Sequence, residues 1–157
     1  VKLSPLVELW TVNDNLEAVL AASHSKMFFS KDTSEHSKLG ELMTFGNGKS
    51  RPKTDGPIPV YGGNGVLSYT DHHNIENAVL IGRVGAILGK DNAIFAKSKI
   101  TKDEFFDYFL LKRLNLFNHH VGTGQQLLTQ EILNNIEVPK PVTEQIELFN
   151  RKATSIF

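Results

Sequence analysis

Lys49, Ser50, Arg51 and Lys53 fall within five residues, inside a run of glycine, proline and polar residues from 46 to 57. Asp55 is the one acid in that run, so it is the densest positive patch of the chain. Such groups neutralise phosphate, and Gly48-Lys49-Ser50 has the ending of a phosphate-binding loop. That loop also needs a glycine five residues before Gly48, where Met43 stands. A dinucleotide fingerprint fails in the same way, because the third glycine position after Gly63 and Gly65 is Ser68. Nucleotide handling at these loops is therefore not expected from the motifs.

Other routes to catalysis are no better supplied. His72-His73 and His119-His120 are adjacent pairs whose rings diverge in extended or helical backbone, and they read as solvated loop histidines. No serine occupies a Gly-x-Ser-x-Gly elbow, and cysteine is absent. Glu104 and Asp107 share a helix face with Lys and Phe neighbours and read as its solvated side, so no paired acid and base is expected. What the glycine-broken segments do hold is a set of side chains suited to DNA. Asn47, Lys49, Ser50, Arg51 and Lys53 precede Tyr61 and Asn64; Arg83 and Lys90 follow; then come Thr123, Gln125, Gln126 and Gln130. Arginine and lysine meet phosphate or guanine, asparagine and glutamine pair with adenine, and glycine-turn amides reach phosphate oxygens.

Composition sets outer bounds. The chain has 157 residues, enough for one domain with a real core and a helical appendage. Lysine plus arginine equals aspartate plus glutamate, 17 against 17, so any electrostatic attraction must be local. With no cysteine and no apolar stretch of membrane-span length, a soluble, cytoplasmic protein without disulfides or metal is expected.

The elements that position these side chains follow from patterning. Ser4-Pro5 opens a helix carrying Leu6, Leu9 and Trp10, and Asn13 or Asp14 caps another carrying Leu16, Val19 and Leu20. Residues 23–37 read as a surface linker. Residues 39–45 form a short apolar-periodic piece. Residues 58–71 break at Gly62-Gly63-Asn64-Gly65 between Tyr61 and Tyr69, which predicts a hairpin with a tight turn. Ala78 to Ile81 reads as a buried strand, with one or two more around 87–88 and 92–96. Thr101-Lys102-Asp103-Glu104 has capping-box spacing, which predicts a helix over 102–116. A second glycine loop at 121–126 leads to a short helix through Leu133, and 136–138 is strand-like before Pro139 and Pro141. The last segment, 143–157, spaces Ile146, Phe149, Ala153 and Ile156 as the start of a coiled-coil seam. That seam packs either on its own domain or on a partner or continuing helix.

Taken in order, several motifs resemble one family. They are Lys38-Leu39-Gly40-Glu41-Leu42, the Gly-Lys-Ser loop, Ile58-Pro59-Val60-Tyr61-Gly62-Gly63-Asn64-Gly65, Ile81-Gly82-Arg83-Val84-Gly85 and Asp91-Asn92-Ala93. After these come Gly122-Thr123-Gly124-Gln125-Gln126-Leu127-Leu128-Thr129 and Ile136-Glu137-Val138-Pro139. Over about residues 38 to 145 the chain resembles a target recognition domain of a type I restriction-modification specificity subunit. The resemblance implies a mixed α/β (α+β) fold, with a twisted, mainly β core and flanking helices. It divides the chain into a helical segment and linker (1–37), a recognition domain (38–142) and the start of a spacer helix (143–157).

The resemblance also implies a non-catalytic reader of double-stranded DNA that directs methylation and cleavage by methyltransferase and restriction subunits. S-adenosylmethionine, ATP and Mg are then expected on those partners and no cofactor in this chain. Lys49, Ser50, Arg51, Lys53, Tyr61, Asn64, Arg83, Lys90, Thr123, Gln125 and Gln126 are the DNA-binding candidates, and Ile146, Phe149, Ala153 and Ile156 the helix-packing ones. Family subunits carry two recognition domains, so this chain is expected to be a fragment or a half-subunit that forms a homodimer. The segment from Ala86 to Lys90 is shorter than in the family, which puts contacts near Lys90 in doubt. The alternative is a protein-docking module that works through its terminal helices.

Overall fold

The computed structural model describes residues 14–30, 35–48, 51–62, 65–82, 93–119 and 128–156. In chain order these form α1 (Asp14–Phe29), β1 (His36–Lys38), α2 (Leu39–Leu42), β2 (Met43–Asn47), β3 (Ile58–Gly62), β4 (Gly65–Thr70), β5 (Val79–Ile81) and β6 (Ile94–Ser98). Then follow α3 (Phe105–Arg113), a 3-10 turn (Leu116–His119), α4 (Gln130–Asn135), β7 (Glu137–Pro139) and α5 (Thr143–Ile156). The fold is mixed α+β, as the sequence implies. The first expected helix, the strand at 87–88 and the glycine loop at 121–126 lie outside the described residues. Among the described residues no helix is long and apolar enough to cross a membrane.

Three antiparallel pairings organise the strands: β1 with β7, a three-stranded sheet in the order β2-β6-β5, and the hairpin β3-β4. Alternation in the three-stranded sheet sorts its side chains. Met43, Phe45, Ile81, Ile94 and Ala96 are buried on one face. Gly46, Phe95 and Leu80 align across the strands on the other. Ala78 to Ile81, four apolar residues in a row, therefore divides: Ile81 enters the core while Leu80 faces outward and is half-buried.

The core is made largely by helices. Residues 23–29, expected as a linker, continue α1, because Leu20, His24 and Phe28 recur every fourth residue and form one buried stripe. His24 sits among aromatic rings, 4.9 Å from Phe28, 5.2 Å from Phe106 and 5.2 Å from Phe149 between centroids. Burial, with a smaller contribution from the Arg113 charge, lowers its pKa to about 4, so it is neutral near pH 7. Lys112 pairs with Glu17 and Arg113 donates to Ser25 Oγ at 2.8 Å, which ties α3 to α1.

The seam of α5 closes this core. Ile146, Phe149 and Ala153 are fully buried against the chain's own core, in the cluster that α1 and α3 also enter. Of the two packings that the spacing allows, these three residues take the one on the chain's own domain. The apolar stripe of α1, read as stopping short, supplies the surface they need. Ile156, 40% exposed, is the one seam residue with surface left.

The start of α3 departs from its sequence signature as well. Thr101 and Glu104 form no capping box, and the helix begins at Phe105 without a cap from its own side chains. Asn150 of α5 takes the role: its Oδ1 accepts from the Phe106 N–H at 2.9 Å, and its Nδ2 donates to Thr101 Oγ1 at 3.0 Å. Glu104 and Asp107, expected on the solvated side of this helix, are both buried. Burial pushes the Asp107 carboxyl up to about 7; a hydrogen bond from Ser98 works against that shift, and the nearby Glu104 adds to it. By contrast α4, the short helix expected after the second glycine loop, is capped by its own flank, Thr129 accepting from the Ile132 N–H at 3.2 Å.

Candidate functional site

The β3-β4 hairpin stands apart from the core. None of its residues belongs to the main hydrophobic cluster or packs against it among the described residues. Tyr61 lies opposite Val66 and Gly62 opposite Gly65, with a bulge between Val60 and Tyr61. Gly65 has φ of 113°, a conformation that glycine adopts without strain, as the expected tight turn requires.

The basic run 51–57 is fastened to the far end of this hairpin. Thr70 Oγ1 lies 2.8 Å from Thr54 Oγ1, and the Thr54 hydroxyl donates to Asp71 Oδ1 at 2.7 Å. His72 Nδ1 donates to the same oxygen, also at 2.7 Å. Because a carboxylate only accepts, the Thr54 proton goes to Asp71 and the Thr70 proton to Thr54, giving a relay of three side chains onto one carboxylate. The hydrogen bonds from His72 and then Thr54 hold the Asp71 pKa at about 2. Asp71 is thus an anion throughout the physiological range, and His72 is held with Nδ1 protonated.

Gly56 brings the loop closer still. A Cβ at Gly56 would lie 2.3 Å from the Thr70 carbonyl oxygen, so only a bare backbone packs here.

Between this loop, the hairpin and the outer face of the three-stranded sheet lies a cleft of about 350 Å³. Pro59, Val60 and Tyr61 line it from the hairpin, and Leu80 and Phe95 line it from the sheet. Arg51, Lys53 and His72 also line it. The outer wall depends on Gly46, which pairs with Phe95 across β2 and β6. A Cβ there would lie 2.2 Å from Phe95 Cζ, so the missing side chain is what lets the ring lie across β2.

Of the eleven DNA-binding candidates, the structure brings Arg51, Lys53 and Tyr61 together in this cleft. Lys49, Ser50, Asn64, Arg83, Lys90, Thr123, Gln125 and Gln126 lie outside the described residues. Gln130 approaches β2: with its amide nitrogen donating to the Phe45 carbonyl at 3.3 Å, its oxygen accepts from the Asn47 N–H at 3.2 Å.

Sequence reading missed Thr54, Asp71, His72, Leu80 and Phe95. A signal existed for Asp71 and His72, since Thr70-Asp71-His72 ends a strand with three consecutive hydrogen-bonding side chains. Leu80 and Phe95 look like core residues in sequence, and only pairing assigns them to the outer face. His73 pairs with Glu76 at 2.6 Å and stays exposed. Among the described residues no group of three His, Asp or Glu gathers as a metal site.

No family model matches the chain, and no curated protein matches it. Among solved structures, one described as "Structural basis underlying complex assembly and conformational transition of the type I R-M system" contains a chain of similar fold. The TM-score is 0.56 at 15% identity, over 93% of this chain and 45% of that one. At this identity the likeness is one of fold, and the chain spans less than half the length of the chain it matches.

Proposed function

We propose that this chain reads double-stranded DNA as the specificity component, or part of one, of a type I restriction-modification complex. The observation that carries the reading is the cleft: a loop bearing Arg51 and Lys53, fastened beside Tyr61. The fold shared with a chain of a type I R-M assembly adds the setting. Arg51 and Lys53, with Lys49, Ser50 and Lys90, neutralise phosphate and set the register of the domain on the duplex. Tyr61, Asn64, Arg83, Thr123, Gln125 and Gln126 meet base edges or hold the loops that do, each bidentate base contact being worth about 1–3 kcal/mol of discrimination. Methyl transfer and cleavage, with S-adenosylmethionine, ATP and Mg, belong to the methyltransferase and restriction subunits with which the chain assembles.

A mobility-shift assay on duplexes of varied sequence, with salt varied and the methyltransferase subunit present or absent, tests this. Sequence-dependent binding that weakens with salt is expected, and failure to bind any duplex with the partner present overturns it. Protein docking through the outer helices is a second reading. It is favoured by Val19 on α1 (59% exposed) and Leu148 on α5 (39% exposed), apolar side chains on the outer surfaces of two core helices. Under that reading, charging Val19 and Leu148 abolishes binding to the methyltransferase subunit, and DNA binding by the isolated chain is absent.

A further inference from the structure

The cleft does more than display cations. Its apolar lining comes from two elements: Val60 and Tyr61 on the hairpin, Leu80 and Phe95 on the sheet. All four side chains are half-buried, and among the described residues none of the hairpin belongs to the main core cluster. At about 350 Å³ it is at the small end of ligand pockets, which suits one ring system with a short polar extension. Cations sit on the adjoining loop, Lys53 and Arg51, and His72 and Thr70 add polar atoms at the end of the hairpin. Two aromatic rings among aliphatic side chains, with Arg51 and Lys53 in the same lining, match a heterocyclic base joined to a phosphate.

We infer that the cleft is a binding site for a single nucleotide, with its base between Val60 and Phe95 and its phosphate toward Arg51 and Lys53. The nucleotide is either free or a base turned out of a bound duplex. The second source rests on the DNA-reading proposal, and the first does not. Bases stack on aromatic rings without strong sequence preference, contributing about 1–3 kcal/mol each. Turning a base out is easiest where it is already unpaired.

The full chain is titrated with the four deoxynucleoside monophosphates, with ribose 5-phosphate and with inorganic phosphate, and backbone amide shifts are followed. Expected are shifts at residues 51–54, 60, 80 and 95 with a Kd of roughly millimolar or tighter, and much weaker binding of the two phosphates that lack a base. Phe95→Leu is expected to weaken nucleotide binding about tenfold. Val60→Phe, on the hairpin and outside the core, is expected to block it while the fold is retained. Nucleotides binding no better than inorganic phosphate, or shifts confined to residues outside the cleft, overturn the proposal.

A parallel titration uses one duplex fully paired and another of the same sequence with a single bulged nucleotide. Tighter binding of the bulged form, abolished in Val60→Phe, assigns the site to a base from DNA. Equal binding of the two, alongside mononucleotide binding, assigns it to a free nucleotide. Mononucleotide binding with no duplex binding even when the methyltransferase subunit is present keeps the pocket and removes the DNA-reading proposal; duplex binding with no mononucleotide binding and no bulge preference does the reverse.

Discussion

Replacing Asp107 by asparagine is expected to change the pH dependence of stability more than stability itself. The carboxyl is buried, one oxygen accepts from Ser98, and among the described residues Oδ2 has no hydrogen-bond partner. Its pKa is raised from 3.8 to about 7. Below pH 3.8 the acid is neutral in both states and carries no penalty. As pH rises toward 7 the unfolded chain releases the proton while the folded one keeps it, so stability falls, and above pH 7 the full penalty of about 4 kcal/mol remains.

Asparagine removes that titration but leaves an amide N–H without a partner, at about 1–3 kcal/mol. The variant is therefore expected to be about 1–3 kcal/mol more stable than the parent at pH 8. Its advantage shrinks by about 4 kcal/mol between pH 8 and pH 4. His24 acts in the opposite sense. Its pKa is lowered from 6.5 to about 4, so the stability it contributes is complete above pH 6.5 and lost as pH falls toward 4, by about 3 kcal/mol. In the parent chain the two offset each other between pH 4 and 6.5; in Asp107→Asn the His24 loss is left uncovered. Urea unfolding of both proteins at pH 4, 5, 6, 7 and 8 measures this. Two stability curves that run parallel across the range would refute the assignment of Asp107 as a buried acid.

Other expectations follow from single interactions. Asn150→Ala deprives the buried Phe106 N–H of its acceptor and is expected to destabilise the chain by about 2–4 kcal/mol, read by thermal or urea unfolding. Gly56→Ala drives a Cβ against the Thr70 carbonyl and is expected to cost about 1–3 kcal/mol and speed hydrogen exchange in residues 51–57, with α3 and α5 unaffected. Arg51→Ala with Lys53→Ala is expected to reduce the salt slope of duplex binding by about 0.9 for each phosphate no longer neutralised, without altering the preference among sequences. Thr54→Val removes the donor to Asp71 and is expected to weaken duplex binding at unchanged charge, while Thr54→Ser restores it.

Local pattern carried much of the architecture. The two hairpin strands around Tyr61 and Tyr69, the short helix before Ile136 and the final amphipathic helix each appear where local patterning puts them. Those signals rest on neighbours within about four residues, which the sequence displays directly. The basic loop was legible in the same way, since charge and glycine content are properties of composition.

What the sequence leaves undecided is which surface each element covers. Ile146, Phe149 and Ala153 have the same spacing whether they meet a partner or the chain's own α1 and α3, and only the packed core selects the second. Asp107 looks like any helix-surface acid until the fold buries it beside Ser98 of β6. Phe95 and Leu80 read as core residues, and cross-strand register turns them outward to wall a cleft. Burial and strand register arise from contacts distant in sequence. The tertiary structure therefore decided the cleft, the carboxylate that fastens its loop, and the buried acid.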